Sequence, residues 1–250
     1  DGATRPITGL NGQGNNWFPT PDGRGSLYFM SDRSGHAVIL AMDSKGKIVQ
    51  VFKTSGQGEN WSPAPDGRGN LYFTSDRNGE SEVFVLDTKG KVSRVISAKG
   101  QGESWSPAPD GWGNLYFVSN RSGKAEIYVL DAKGKITQVT HTKEKGESWL
   151  PAPDGRGNLY FTSNKSGKVE VFVLDTKGKV SQVTHTNGKA ESWGPVANIT
   201  GNLCFTTDRD GNPTVFCMTA NGITSPITDT SDTSWTKLLS GQRPTSNNLK

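Results

Sequence analysis

The chain has 250 residues, 32% of them apolar, with 31 glycines and a net charge of +4 from 28 basic and 24 acidic side chains. That length permits one large all-β domain or two small ones. Its longest apolar runs, such as Val83-Phe84-Val85-Leu86, are far too short to cross a bilayer, so no membrane insertion is expected. The charges are interspersed rather than gathered into a tract, which argues against nucleic acid as a partner. No apolar leader or initiator Met precedes Asp1-Gly2-Ala3-Thr4, which reads as the start of a mature or trimmed product.

In chain order the first element is Arg5-Pro6-Ile7-Thr8, a match to the outer strand of a later repeat, Ser225-Pro226-Ile227-Thr228. Trp17 then opens a unit that returns at Trp61, Trp105, Trp149 and Trp193, each 44 residues after the last. The units run approximately over 17–60, 61–104, 105–148, 149–192 and 193–234, with terminal segments 1–16 and 235–250. The third unit shows the pattern. Strand a covers 104–107 and ends at the turn Pro109-Asp110-Gly111. Strand b covers 114–118 and strand c 126–130, separated by the turn Asn120-Arg121-Ser122-Gly123. The hairpin Asp131-Ala132-Lys133-Gly134-Lys135 leads to strand d at 136–140, which alternates polar and apolar residues as an edge strand does. Thr233-Ser234-Trp235 resembles the start of a sixth strand a, but no sixth b or c follows.

Strands b and c are apolar on both faces and must be covered on both. Repeats of this length achieve that by packing radially, each blade between two others. The expected fold is an all-β, five-bladed β-propeller of four-stranded antiparallel blades, a single domain whose ring is closed by a terminal strand.

The units resemble the TolB-like propeller repeat, a relative of the WD-repeat type. The resemblance rests on Trp17-Phe18-Pro19, Pro21-Asp22-Gly23, Leu27-Tyr28-Phe29, Ser31-Asp32-Arg33-Ser34-Gly35 and the apolar strand ending at Asp43, and it extends over nearly residues 15–230. It implies the fold, together with a family that includes periplasmic scaffolds, accessory domains of peptidases and binding modules.

Enzyme motifs are missing, so no catalytic residue, cofactor or metal is assigned and the chain is read as a non-enzyme. His141 and His185 hold equivalent places in strand d and read as surface residues; Asp208-Arg209-Asp210-Gly211-Asn212 reads as a turn rather than a calcium loop. The repeated loops carry more information. An indole beside carboxylate, amide and guanidinium groups suits a sugar, whose C–H face stacks while its hydroxyls take hydrogen bonds. The candidate ligand set is Trp17, Trp61, Trp105, Trp149 and Trp193; Glu59, Glu103, Glu147 and Glu191; and the turn pairs Asp32-Arg33, Asp76-Arg77, Asn120-Arg121, Asn164-Lys165 and Asp208-Arg209. Five such sites would make a multivalent lectin. The same tryptophans can equally serve as wedges between blades, and the alternative function is a scaffold that binds a protein partner through one rim or the central channel.

Trp112 stands where other units carry Arg24, Arg68 and Arg156 and reads as an incidental exposed aromatic. Lys45, Lys47, Lys89, Lys91, Lys133, Lys135, Lys177 and Lys179 place two cations in each of four c–d hairpins, a solvated collar. Cys204 and Cys217 replace Tyr and Val of the sister units on facing strands, so a disulfide is expected. With four glycosylation sequons, at Asn60, Asn120, Asn164 and Asn198, the bridge points to a secreted or extracytoplasmic location.

Overall fold

The computed structural model describes residues 14–51, 58–142 and 146–226, and every regular element among them is a strand. Blade 1 comprises β1 (Asn16–Pro21), β2 (Leu27–Ser31), β3 (Val38–Met42) and β4 (Ile48–Gln50). Blade 2 comprises β5 (Asn60–Pro65), β6 (Leu71–Ser75), β7 (Glu82–Leu86) and β8 (Val92–Ile96). Blade 3 comprises β9 (Ser104–Pro109), β10 (Leu115–Ser119), β11 (Glu126–Leu130) and β12 (Ile136–Gln138). Blade 4 comprises β13 (Ser148–Pro153), β14 (Leu159–Ser163), β15 (Glu170–Leu174) and β16 (Val180–Gln182). Blade 5 comprises β17 (Ser192–Ala197), β18 (Leu203–Thr207), β19 (Thr214–Met218) and β20 (Thr224–Pro226). Each blade is an antiparallel sheet with its strands in chain order. The chain forms two compact units, Asp1–Pro107 and Ala108–Lys250, with the boundary inside β9. The segments expected to close the ring, including 5–8 and 233–235, lie outside the described residues.

Alternate residues of the inner strands serve different neighbours, which is why b and c are apolar on both faces. In the second unit, Phe172 of β15 joins Leu159, Phe161 and Ile127, a cluster shared with blade 3. The adjacent Val171 joins Leu203, Phe205 and Phe216 of blade 5. The first unit repeats the scheme, Ile39 of blade 1 packing on Leu71, Phe73 and Phe84 of blade 2. Phe73–Phe84 and Phe161–Phe172 stack with centroids 5.8 Å apart. Each such side chain contributes roughly 1.5–3 kcal/mol through burial.

Two details differ from the sequence expectation. Strand a is longer and carries a bulge: between Trp61 and Ala64 the partner strand advances only from Thr74 to Tyr72. The residue after the Trp takes positive φ in every blade: Phe18 (53°), Ser62 (52°), Ser106 (50°), Leu150 (53°) and Gly194 (61°). A bulge turns that residue's amide out of its own ladder. Ser106 N donates to Thr74 Oγ1 of blade 2 at 3.2 Å, and Gly194 N to Thr162 Oγ1 of blade 4 at 3.1 Å. Strand d is shorter, ending at Gln138 rather than Thr140. There the ladder gives way to a side chain: Thr140 Oγ1 accepts Ile127 N at 2.8 Å and donates to Glu126 Oε2 at 2.5 Å.

The expected disulfide is present. Cys204 and Cys217 are direct partners on β18 and β19, with Cα atoms 4.0 Å apart.

Candidate functional site

Three of the five indoles expected to stack on a ligand are buried. Trp105, Trp149 and Trp193 are between 2% and 7% exposed, while Trp17 and Trp61 are half-buried. Position explains this. Trp17, Trp61, Trp149 and Trp193 pair with the Met or Thr at the fourth place of strand b, as Trp149 does with Thr162, just before the bulge turns the chain. The ring is thereby set among side chains of the sheet.

The acids and cations of the loops are engaged within the protein, the acids by amides and hydroxyls and the cations by rings and serines. In four of the five blades the first residue of the b–c turn receives an amide from the d–a loop seventeen residues earlier in the chain. Asp32 Oδ1 accepts Asn15 N at 2.6 Å, and the equivalent oxygens of Asp76, Asn164 and Asp208 accept Glu59 N, Glu147 N and Glu191 N at 2.7 Å. Asn120 holds the same turn place in blade 3, where its carbonyl accepts Gly123 N at 2.8 Å. The two loops approach so closely that a Cβ on Gly58 (φ +137°) would lie 2.7 Å from Arg77 Cα, which accounts for glycine there. The donated amides hold Asp32 below the usual carboxylate range. Glu103 and Glu147 turn to the preceding blade, where Glu103 Oε1 accepts the Ser81 hydroxyl at 3.2 Å and Glu147 Oε1 accepts Ala125 N at 3.3 Å.

The turn cations cap the aromatic stacks. Arg77 lies 4.7 Å over Phe84, Arg121 5.0 Å over Tyr128, Lys165 4.3 Å over Phe172 and Arg209 3.9 Å over Phe216. Arg33, Arg77 and Arg121 also donate Nε to a serine hydroxyl at the end of strand b, at 3.2, 3.0 and 3.0 Å. Burial holds the Lys165 ammonium below the usual lysine range. The repeated polar set therefore ties loops to turns and blades to blades.

Sequence reading passed over a second polar set, three buried carboxyl groups at the head of strand c. Glu82 accepts Arg94 Nη1 at 3.1 Å, Asn78 Nδ2 at 2.7 Å and Ala98 N at 2.9 Å. Glu126 and Glu170 are held by threonines of the following d–a loop: Thr140 and Thr142 for the first, Thr184 and Thr186 for the second. Glu at 44-residue spacing, followed by Thr-His-Thr, was the available signal.

The opposite end of the blades, formed by a–b turns and c–d hairpins, is where the structure exposes apolar surface. Blade 5 has Val196 (67% exposed), Ile199 (66%) and Ile223 (67%) where its sisters carry alanine (threonine in blade 1), glycine and lysine. The a–b turn and c–d hairpin abut, since a Cβ on Gly201 would stand 3.3 Å from Ala220 Cβ and 3.1 Å from Arg156 Nη1 of blade 4. Trp112 is 71% exposed, yet its Nε1 donates to Gly155 O of blade 4 at 2.9 Å, so it bridges blades as Arg156 does. The lysine collar is exposed as expected.

No family model matches the sequence, and no curated protein does. Among solved structures the chain is similar to TolB from Acinetobacter baumannii, with a TM-score of 0.68 and 21% identity over 85% of this chain and 54% of that one. The fold is a TolB-like β-propeller. Its length spans about half of that TolB. Other propellers it is similar to include the nidogen/laminin complex (TM-score 0.60, 13% identity, 79% of this chain and 73% of that chain). Another is virginiamycin B lyase from Staphylococcus aureus (TM-score 0.57, 15% identity, 85% and 69%). The fold is thus shared with a protein complex and with a lyase, and function must be argued from the surface.

Proposed function

We propose that this propeller is a non-enzymatic protein-interaction scaffold that works outside the cytoplasm, and that it holds its partner with the a–b and c–d end of blade 5. One observation carries the reading: Val196, Ile199 and Ile223 are each about two-thirds exposed on one end of one blade, where the sister blades have small or cationic residues. Exposed apolar side chains gathered in this way mark contact surfaces. Arg156 reaches the same turn, and the exposed Lys177 and Lys179 stand on the hairpin of the neighbouring blade, so the fitting partner has an apolar centre flanked by acidic side chains. A solved neighbour that is a protein complex is in keeping with this use of the fold, and the disulfide is in keeping with an oxidising compartment. The glycan-binding reading needs indole faces open to solvent, and three of the five tryptophans are buried.

The test is reversion to the sister residues, Val196→Ala, Ile199→Gly and Ile223→Lys together. Wild type and variant are used to capture proteins from an extracytoplasmic extract, and the captured protein is then titrated directly by calorimetry. The variant keeps its circular dichroism and loses at least about tenfold in affinity, equivalent to 1.4 kcal/mol. Equal capture by both removes this surface, and saturable binding on a glycan array restores the carbohydrate reading.

A further inference from the structure

Blades 4 and 5, both in the second unit, leave a cavity of about 340 Å³ between the d–a loop that joins them and the inner strands of blade 5. Its floor is apolar, with Val183, Phe205 and Met218. Its remaining wall is formed by hydrogen-bonding groups, His185, Asn187, Ser192 and Arg209 among them, and no Asp or Glu lines it. Two of these groups differ from their counterparts in the sister blades.

The first is Ser192. It is 1% exposed, and its hydroxyl has no hydrogen-bond partner among the described residues. Its counterpart Ser148 donates to Ser163 Oγ at 3.3 Å. In blade 5 Thr207 replaces that serine; both hydroxyls donate to the d–a carbonyl, Ser163 to Glu147 O at 2.7 Å and Thr207 to Glu191 O at 2.8 Å, but Thr207 receives nothing from Ser192. A buried hydroxyl without a partner costs about 1–3 kcal/mol, so it is a feature that needs a reason.

The second is Arg209. In blades 1 to 3 the turn arginine is tethered through Nε to a strand-end serine. In blade 5 the Thr207 oxygen receives only the Arg209 main-chain amide, at 3.4 Å. The guanidinium carbon lies over the Phe216 ring, 3.9 Å from its centroid, and among the described residues the group has no hydrogen-bond acceptor or ion pair. Stacking uses the face of the group and leaves its N–H edges, five donors in a planar fork, available.

We propose that this cavity is a binding site for a small carboxylate ligand with a short apolar tail. The fork of Arg209 takes the two carboxylate oxygens, the Ser192 hydroxyl and the His185 and Asn187 side chains supply further donors, and the tail lies on Phe205 and Met218. A bidentate guanidinium–carboxylate pair suits the fork better than a point charge does. The volume lies at the small end of ligand pockets, which sets the scale of the tail. The donors stand at the opposite end of blade 5 from Ile199 and Ile223, so this site does not depend on the partner surface.

Hexanoate is the probe, titrated to about 50 mM at constant ionic strength and followed by ¹H–¹⁵N correlation spectra that include arginine Nε. Saturable shifts are expected at the Ser192 and His185 amides and at Arg209 Nε, with a millimolar Kd, because single exposed arginine pairs give only modest affinity. Arg209→Met should weaken binding about tenfold, and Arg121→Met, the tethered sister, should leave it unchanged. Ser192→Ala supplies a readout that a merely structural serine would not give. It should weaken binding several-fold while Tm stays level or rises, since the buried hydroxyl that it removes has no partner. The proposal is overturned by shifts that remain linear in hexanoate, by hexanol or inorganic phosphate binding as well as hexanoate, or by Arg209→Met binding like wild type.

Discussion

At the scale of single residues, the buried glutamates decide how the outer strands end. Glu170 receives the hydroxyls of Thr184 and Thr186, at 2.5 Å each, and the Thr186 amide at 2.8 Å. Glu170→Ala strands these donors beside a cavity, with an expected loss of about 3 kcal/mol in urea unfolding; a loss under about 0.5 kcal/mol would mean that water replaces the carboxyl group. Glu82 gives a pH-dependent case. Burial raises its pKa, but the donors from Asn78, Ala98 and Arg94 outweigh burial and hold it below the usual glutamate value. A lowered folded pKa means that the unfolded chain takes up the proton first. The stabilisation is then complete above the unfolded value, about 4.3, and is lost as pH falls through the folded one. The stability advantage of wild type over Glu82→Gln should therefore be level from pH 7 to 5 and shrink below about pH 4; an advantage that grows on acidification would reverse the assignment.

At the scale of strands, the sheets were legible in the sequence because their signals are local. Alternation places Leu71 and Phe73 on one face of β6, and the Pro-Asp-Gly and Asp-x-Lys-Gly-Lys turns mark where strands stop. What covers a side chain is not local. Trp149 at the head of β13 gives the same text whether its indole meets solvent or a neighbouring strand, and here it is buried. The acids at the head of strand c leave no local mark for the same reason, since what buries Glu126 is the d–a loop that closes over it sixteen residues later. The bulge had one marker, Gly194 in the slot that Phe18, Ser62, Ser106 and Leu150 fill elsewhere. That slot supports a direct test. At φ near +52°, a β-branched side chain is strained, so Ser62→Val should cost about 1–3 kcal/mol, whereas Ser62→Gly should change stability by less than about 1 kcal/mol. Equal effects of the two substitutions would remove the strain.

At the scale of the whole molecule, the last blade is the exception to its own repeat, and its departures share one place. Tyr28, Tyr116 and Tyr160 of strand b each pack against the cluster shared with the following blade. Blade 5 has Cys204 at that position and Cys217 opposite, where the sisters pair tyrosine with valine or alanine. A covalent tie thus stands in blade 5 where the other blades bury an aromatic ring. A bridge closing a loop of this size, with the cysteines 13 positions apart in sequence, stabilises by about 3 kcal/mol through the unfolded chain. Reductant should therefore lower Tm by several degrees, and the lost stability should come from the second unit, leaving amide exchange in β2, β3, β6 and β7 unchanged. Cys204→Tyr with Cys217→Val restores the sister pair, and its Tm should not respond to reductant. A wild-type Tm that is equally indifferent would show that the cross-strand tie contributes nothing to blade 5. A loss of protection spread evenly over all five blades would show instead that the two units unfold as one.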